Sequence, residues 1–422
     1  MTAFSKDKKN FNSILIGKLI IASVLISVLS SFLAISLKHS TEYFENAFFL
    51  KAESNIIYLL ILPTFGLAVI YFLRQYLFKK KANKGITEVF EATESKSKNL
   101  PLYKIPSHFI NGLLTVAFGG STGIEVSTVV ATAAIGNTAQ QKEKIFRKYK
   151  TELICAGITA GITILFSSPV AGILFSLEVI ARKTNRVFFL TNVIALTVAS
   201  ALLLILNEGP LFNVIITTWH LYAIPYFILL GILAGLNSVY LTKTVLFFKS
   251  FFGKKLDRQK ILFGGIILSV CLILFPQLYG DGYHALKEIF SHTNSILTPI
   301  LTLIGILILK PIITSATLAA GGDGGVFAPS LFIGAFLGLF VATISNNFFQ
   351  ADVIPINFMV IGMAAVLSAS IHAPFTALFL VCGMINNYTL FFPILLVCFV
   401  SKYISKMIFP FTVYTYSSAN LK

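Results

Sequence analysis

Long apolar runs separated by short polar segments dominate the hydropathy pattern of the chain. Several of these runs reach or approach the roughly 20 residues that an α-helix needs to cross the hydrocarbon core of a bilayer. The pattern therefore predicts an all-α, polytopic membrane protein. The predicted long helices lie within residues 11–37, 56–78, 187–206, 222–248, 261–275, 296–309, 326–344, 353–384 and 389–409.

Shorter apolar segments, interrupted by Gly, Ser, Thr or Pro, lie between the long ones. Such segments are typical of helices that end inside the membrane, where free backbone groups are tolerated only if they line a cavity or pack against protein. We expect partial helices of this kind within residues 109–118, 128–139, 153–166 and 169–180. The first apolar run of the chain is too long for a signal peptide, so we expect it to be retained as a span.

The number and the positions of the charged residues indicate the class of protein. Only 12% of the residues are charged, against about 25% in an ordinary soluble domain. This excludes a soluble enzyme, a disordered chain and a nucleic-acid-binding protein. The net charge of +16 comes from basic clusters between the apolar runs, which the positive-inside rule assigns to the cytoplasm. We expect a multi-pass protein of the cell membrane with a cytoplasmic N-terminus. The basic clusters lie within residues 6–9, 79–104, 142–150, 182–186 and 243–260, and the loops expected outside lie around residues 42–53, 208, 281–292 and 352.

The chain contains an internal duplication. Residues 119–136 align without gaps on residues 321–338, and further matches follow in the same order at nearly the same offset. Two such matches in order are improbable by chance, so we expect two homologous halves. The matched residues are Gly119/Gly321, Gly120/Gly322, Gly123/Gly325, Ala133/Ala335, Gly136/Gly338, Gly157/Gly362 and Pro169/Pro374.

Paired, glycine-interrupted segments in two halves are the best sequence indication of a substrate site between repeats. We place the halves at residues 12–208 and 215–418, and expect them to be inverted if each contains an odd number of crossings. Outside them we expect a cytoplasmic N-terminus, a linker and a C-terminal tail. These segments are residues 1–11, 209–214 and 419–422.

Both glycine-rich segments lead into an apolar helix, whose first amides lack intrahelical partners and bind anions without a full positive charge. The alternative is a pair of glycine-packed helix crossings. Glu125 favours the anion site, because an acid inside a membrane segment is costly and marks function. Glu178 is a second intramembrane acid, for which an ion pair with Arg182 four residues later is the alternative.

These motifs resemble the CLC family of chloride channels and proton–chloride exchangers. Residues 325–329, GVFAP, fit the family's GxFxP motif. Residues 123–127, GIEVS, fit its GxExP motif except that Ser127 replaces the proline. The stretches 169–178 and 368–381 are also similar. The resemblance implies two inverted repeats of tilted and partial helices, a homodimer, and the prokaryotic type without C-terminal CBS domains.

The resemblance also implies roles for individual residues. By this resemblance, we expect Glu125 to be the gating residue. We expect the amides of Val326 and Phe327 and the hydroxyl of Tyr414 to bind the central anion, and amides near Ile124 and Val126 to serve an outer site. Lys84 stands where the family carries a serine that contacts the central anion; its side chain either lines the inner pore or points to the cytoplasm.

Val179 bears on the mechanism, because proton-coupled members often have an internal glutamate at the position after Glu178. The leading expectation is a passive chloride channel gated by Glu125, with Glu178 and Val179 on a possible proton path. The alternative is a proton-coupled chloride exchanger. A remote alternative is an integral-membrane enzyme, for which the six histidines show no ligand spacing. We expect no cofactor and no metal, with chloride or a similar small anion as the transported ligand.

Overall fold

The structure of the chain is a computed structural model, and the part that it describes is almost entirely helical. It describes residues 3–419 apart from residues 82, 96, 182 and 292–298. Among these residues there is no β-strand, and the predicted all-α class is confirmed. The π-helical turns Leu73–Leu77 and Ser176–Ile180 continue the second and seventh α-helices.

The described α-helices are numbered in chain order. Those of the first half are α1 (Ala3–Ser54), α2 (Ile56–Phe72), α3 (Ile86–Glu94), α4 (Lys104–Ala117), α5 (Glu125–Lys142), α6 (Lys150–Phe166), α7 (Pro169–Phe175) and α8 (Arg186–Ile205). Those of the second half are α9 (Ile224–Gly253), α10 (Asp257–Leu274), α11 (Tyr283–Ser291), α12 (Ile300–Ala319), α13 (Phe327–Phe349), α14 (Pro355–Ile371), α15 (Pro374–Met384), α16 (Phe391–Ile408) and α17 (Val413–Ala419).

Within the described residues, eight helical segments are long and apolar enough to cross a membrane, which confirms a polytopic architecture. α1 extends well beyond the predicted run of residues 11–37 and ends only at Ser54. The segment 153–166, expected as a partial helix, belongs to one of the eight, because α6 and the turn before it are continuous. Its glycines pack against neighbouring helices and do not interrupt α6.

The prediction of one long helix within residues 353–384 is wrong. The run divides into α14 and α15, because His372 has a left-handed φ of 56° and Pro374 begins the new helix. A proline has no N–H with which to continue a preceding helix. The same break separates α6 from α7 in the first half, where Ser167 has φ 51° and Pro169 begins α7.

Glycines inside the helices are points of close packing. A Cβ on Gly136 of α5 would collide with the backbone of Leu153 in α6. A Cβ on Gly338 of α13 would likewise collide with the backbone of Phe358 in α14. Gly136 and Gly338 are matched positions, so α5–α6 and α13–α14 are equivalent pairs. The interpretation of the glycines as packing contacts is correct at these positions.

The glycines of the two turns have a different role, because the turns meet in the interior of the molecule. Gly123 and Gly325 each donate a backbone hydrogen bond to the other's carbonyl oxygen, both at 3.2 Å. They form an isolated antiparallel bridge. Matched residues of the two halves therefore lie face to face at this point.

Threonine side chains extend the same symmetry around the bridge. The N–H of Ser121 donates to Thr317 Oγ1 at 3.1 Å, and the N–H of Asp323 donates to Thr115 Oγ1 at 2.9 Å. Exchanging the halves converts one contact into the other. The chain thus consists of two inverted repeats that meet at the glycine-rich turns, while the exact limits of the halves stay a sequence-based prediction.

Candidate anion site

Helices α5 and α13 begin beside each other, on either side of the bridge between the turns. Ile124 and Val326 directly precede the helices, and Val126 and Phe327 lie in their first turns. All four residues are buried. The first amides of a helix carry partial positive charge and have no intrahelical acceptor. The structure thus brings together the amides that the sequence assigned to the central and outer anion sites.

The carboxyl group of Glu125 lies at this meeting point. The residue is 1% exposed, and its Oε1 accepts a hydrogen bond of 2.7 Å from the Tyr283 hydroxyl. The backbone N–H groups of Glu125 and Ala328 approach the same carboxyl group. Within the described chain, Oε2 forms no hydrogen bond. A Cβ on Gly123 would collide with Oε2. The carboxyl group therefore stands where the helix ends would hold an anion.

The Tyr414 hydroxyl reaches the start of α13. Tyr414 is buried, and its hydroxyl approaches the backbone of Val326. The hydroxyl oxygen lies 3.1 Å from the position that a Cβ on Gly325 would take. Among the described residues this hydroxyl has no hydrogen-bond acceptor. Because buried polar groups are generally paired, a free donor at this place fits an anion ligand.

Aromatic packing fixes the start of α13. The Phe327 ring stacks on Phe166 of α6 with 5.4 Å between the ring centroids, and it meets Phe175 of α7 edge-on at 6.0 Å. These contacts hold the first turn of α13 in place without a polar side chain. The amides of this helix end are therefore held in a fixed position, as preorganised donors require.

A cavity of about 200 Å³ leads to Glu125 from the side of the predicted outer loops. Its lining includes Glu125, Asp281, Tyr283 and Lys287. The Tyr283 N–H donates to Asp281 Oδ1 at 2.8 Å, and burial raises the pKa of the Asp281 carboxyl. Lys287 is 42% exposed at its side chain, so the cavity opens to the surface. Glu125 thus faces a polar access route.

The sequence analysis missed Asp281 and Tyr283 as site residues. It placed the segment only as an outward loop. The available signal was the pair of glycines around Asp281, which adopt φ of 56° at Gly280 and 93° at Gly282. Such left-handed positions favour glycine, and here they turn the chain so that Tyr283 reaches Glu125.

Lys84 lies at the surface, before α3. Its side chain is exposed, and its backbone N–H donates a 2.6 Å hydrogen bond to Glu88 Oε1. Lys104, which is buried, binds the same Glu88 oxygen at 2.7 Å and Asn83 Oδ1 at 3.1 Å. The exposed side chain of Lys84 agrees with the placement toward the cytoplasm. The effect of Lys84 on the pore stays a prediction.

Glu178 points to the start of another helix. Its Oε2 accepts hydrogen bonds from the backbone N–H and the hydroxyl of Thr376, both at 2.7 Å. A carboxylate is stabilising at a helix N-terminus such as that of α15. Arg182, the alternative partner from the sequence, lies outside the described residues. Val179 is half-buried and packs against the hydrophobic core.

In the described part of the chain, no group of three or more His, Cys, Asp or Glu side chains is arranged to hold a metal ion. The cysteines Cys155, Cys271, Cys382 and Cys398 are buried and unpaired with one another.

Known proteins resemble this chain in sequence. The chain is 28% identical over 345 residues to the "H(+)/Cl(-) exchange transporter ClcA" of Vibrio parahaemolyticus, covering 78% of this chain and 72% of that protein. It is 26% identical over 357 residues to the "Putative chloride channel protein ClcB-like" of Ralstonia nicotianae, covering 80% of each.

Solved structures of low sequence identity show the same fold. The structure titled "X-ray crystal structure of a slow cyanobacterial Cl-/H+ antiporter" superposes with a TM-score of 0.82 at 20% identity, covering 96% of this chain and 97% of that one. A CLC-type fluoride/proton antiporter superposes with a TM-score of 0.79 at 23% identity, covering 94% and 97%. The model of the family "Voltage gated chloride channel" matches residues 65–406. The chain belongs to this family, the CLC family of anion transport proteins.

Proposed function

We propose that the protein exchanges chloride for protons, with Glu125 as the gating residue. The observation that carries the proposal is the position of the Glu125 carboxyl group between the starts of α5 and α13, where Tyr283 donates to it at 2.7 Å. A carboxylate and a small anion compete for the same amide donors. Protonation removes the charge of the carboxylate and frees the site, so binding of a proton and binding of chloride are linked.

Three of the four similar proteins described above are called exchangers or antiporters, and their names support exchange over passive flow. The Ralstonia relative is instead called a putative chloride channel protein. The Vibrio relative is called an exchange transporter, whereas the sequence analysis favoured a passive channel because of Val179. In an exchanger without an acid at that position, we assign the inner part of the proton path to Glu178 or ordered water. Ionisable side chains and water are the usual proton carriers inside membranes.

A passive channel is the second candidate, and Val179 is the observation that favours it. Valine neither binds nor passes a proton, and the carboxylate of the neighbouring Glu178 is hydrogen-bonded to Thr376. A chain with no inner proton carrier would let chloride follow its own gradient.

We further propose how the anion is held. The central anion binds to the amides of Val326 and Phe327 and to the Tyr414 hydroxyl. The outer anion binds to the amides near Ile124 and Val126. The protein functions as a homodimer in the bilayer, with one pathway in each subunit and the N-terminus in the cytoplasm, and it needs no cofactor.

Reversal potentials of the reconstituted protein separate the two candidates. In vesicles with a chloride gradient, an exchanger reverses at a voltage that shifts when a pH gradient is added. A channel reverses at the chloride equilibrium voltage in both conditions. We expect a shift for the native chain and none for Glu125→Gln. A native reversal potential that ignores the pH gradient would overturn the exchanger in favour of the channel.

A further inference from the structure

Two adjoining cavities lie between α2 and α10, near the basic turn that follows α2. One has a volume of about 610 Å³ and the other about 220 Å³. They share the lining residues Tyr71, Gln75, Lys80 and Ile261. A single elongated ligand can therefore occupy both.

The smaller cavity is strongly basic. Its lining includes four cations, Arg74, Lys80, Lys81 and Lys260, and a single carboxylate, that of Asp257. Asp257 is bound to Lys260 at 2.9 Å, and Arg74 lies 3.9 Å from Asp323, which is outside the lining. The charges of Lys80 and Lys81 remain as the excess of positive charge. The Nε of Arg74 is buried and has no hydrogen-bond acceptor among the described residues. This cavity fits a phosphate group, for which arginine and lysine are the usual ligands.

The backbone positions Lys80 in both cavities. After the π-helical turn Leu73–Leu77, Lys79 and Lys80 adopt left-handed φ angles of 48° and 60°. The N–H of Lys80 donates to the carbonyl oxygen of Arg74 at 2.9 Å, which closes the turn. Side chains other than glycine adopt this conformation at a cost, and such strain is concentrated at functional sites.

The larger cavity is a groove with apolar and aromatic walls. Phe72, Tyr76 and Leu262 line it and are more than half exposed. The rings of Phe72 and Tyr76 stack with 6.1 Å between their centroids. On a membrane-spanning helix, exposed apolar side chains face lipid, and tyrosines gather at the level of the headgroups. Arg258 adds a further cation to this groove.

We propose that the two cavities bind an anionic phospholipid, with its phosphate in the basic cavity and an acyl chain in the groove between α2 and α10. Basic pockets between membrane helices are suited to anionic headgroups. A zwitterionic lipid brings no net negative charge to the pocket, and free phosphate leaves the groove empty. This inference does not depend on the transport activity or on the direction of proton coupling.

Lipid binding by the purified full-length chain tests the proposal. Phosphatidylglycerol, phosphatidylcholine or inorganic phosphate is added to the detergent-solubilised protein, and bound lipid is counted by native mass spectrometry. We expect phosphatidylglycerol to bind in preference to phosphatidylcholine. The pair Lys80→Gln with Lys260→Gln is expected to weaken phosphatidylglycerol binding by about tenfold, because each cation near the headgroup contributes to binding.

Two further variants separate a lipid site from a simple charge effect. The pair Lys254→Gln with Lys406→Gln removes the same charge from exposed positions outside the cavities, and we expect it to leave binding unchanged. Ala68→Phe fills the groove without altering charge, and we expect it to weaken lipid binding as well. Equal binding of both lipids, or equal losses in the two lysine pairs, would overturn the proposal. Competition by inorganic phosphate at the same affinity, with no effect of Ala68→Phe, would assign a phosphate site instead.

Discussion

The two glycine-rich turns share one backbone and differ in the residue that begins the following helix. In the first half this residue is Glu125, which meets Tyr283 and a polar cavity. In the second half it is Phe327, whose ring is packed between two other phenylalanines. The duplication therefore supplies two equivalent helix ends, of which only one carries an ionisable side chain. In the proposed mechanism, this difference turns a symmetric anion site into a gated one.

Replacing Glu125 is expected to have the largest effect. Glu125→Gln keeps the size of the side chain but removes its charge and its proton exchange. We expect complete loss of proton movement coupled to chloride, and an anion flux that no longer depends on external pH. Phe327→Leu, at the matched position, is expected to retain coupling. Proton and chloride fluxes in vesicles measure both variants, and a full pH response in Glu125→Gln would remove Glu125 from the gate.

Adding a methyl group to each turn compares the two sides directly. In Gly123→Ala the new Cβ meets the Glu125 carboxyl group, whereas in Gly325→Ala it meets the Val126 side chain. We expect Gly123→Ala to displace the carboxyl group and to raise chloride flux at neutral pH. We expect Gly325→Ala to cost about 1–3 kcal/mol of stability, because it overpacks a buried contact, without raising flux.

Gly123→Ala and Gly325→Ala are compared by chloride flux per folded protein and by thermal unfolding. Gly253→Ala serves as the control, because nothing lies within 4 Å of a Cβ at that position. Equal flux and equal stability in the two turn variants would mean that the turns do not differ as described.

Removing the Tyr283 hydroxyl tests whether its hydrogen bond to Glu125 affects gating. Tyr283→Phe deletes a donor that favours the charged form of Glu125, so the protonated form becomes easier to reach. We expect the pH at which flux is half-maximal to rise by about one unit, since a hydrogen bond to a charged group is worth about 1.5 kcal/mol or more. Tyr222→Phe, which loses a hydrogen bond to the Asp352 carbonyl, is the control. An unchanged pH profile would show that the Tyr283 contact does not affect gating.

The sequence was sufficient to locate the segments that meet in the structure, because local pattern marks them. In each half, the glycine-rich turn and the start of the following helix lie within one continuous segment, and Glu125 lies in the segment of the first half. The structure joins those segments as the duplication predicted. By contrast, Tyr283 reaches Glu125 from 158 positions away. One sequence alone does not show which distant residues are in contact.

The error in residues 353–384 has a clear cause. Hydropathy alone does not distinguish an apolar helix from two apolar helices divided at a proline, so residues 353–384 were predicted as one. The matching break at Ser167 and Pro169 in the first half was the signal that the internal duplication offered. Lys84 was ambiguous for a different reason, because the direction of its side chain depends on how the backbone enters α3. There the Lys84 N–H donates to Glu88 Oε1.

The anion site itself is expected to respond to Tyr414 more weakly than the gate responds to Tyr283. Tyr414→Phe keeps the ring and removes one donor among several amides. We expect chloride binding to weaken by about fivefold, in keeping with a net contribution near 1 kcal/mol. Calorimetric titration with chloride measures this change, with Tyr403→Phe, an exposed tyrosine, as control. Equal affinities would exclude Tyr414 from the site.

Lys84 is expected to have the smallest effect, because its side chain is exposed. A charge at the inner mouth raises the local anion concentration only within a screening length of about 8 Å at physiological ionic strength. We expect Lys84→Ser to lower flux by less than about twofold at low salt, and to have no effect at high salt. A large loss that persists at high salt would place the lysine in the pore.

The central claim is that the Glu125 carboxyl group occupies an anion site between the starts of α5 and α13. Anomalous diffraction from crystals of Glu125→Gln grown in bromide tests it most directly. We predict a bromide peak within hydrogen-bond distance of the Tyr283 hydroxyl and of the amides that the carboxyl group approaches in the native chain. The native protein at high pH should lack this peak, because the charged carboxylate fills the site. A peak of equal height in both proteins, or none at this position in Glu125→Gln, would contradict the account.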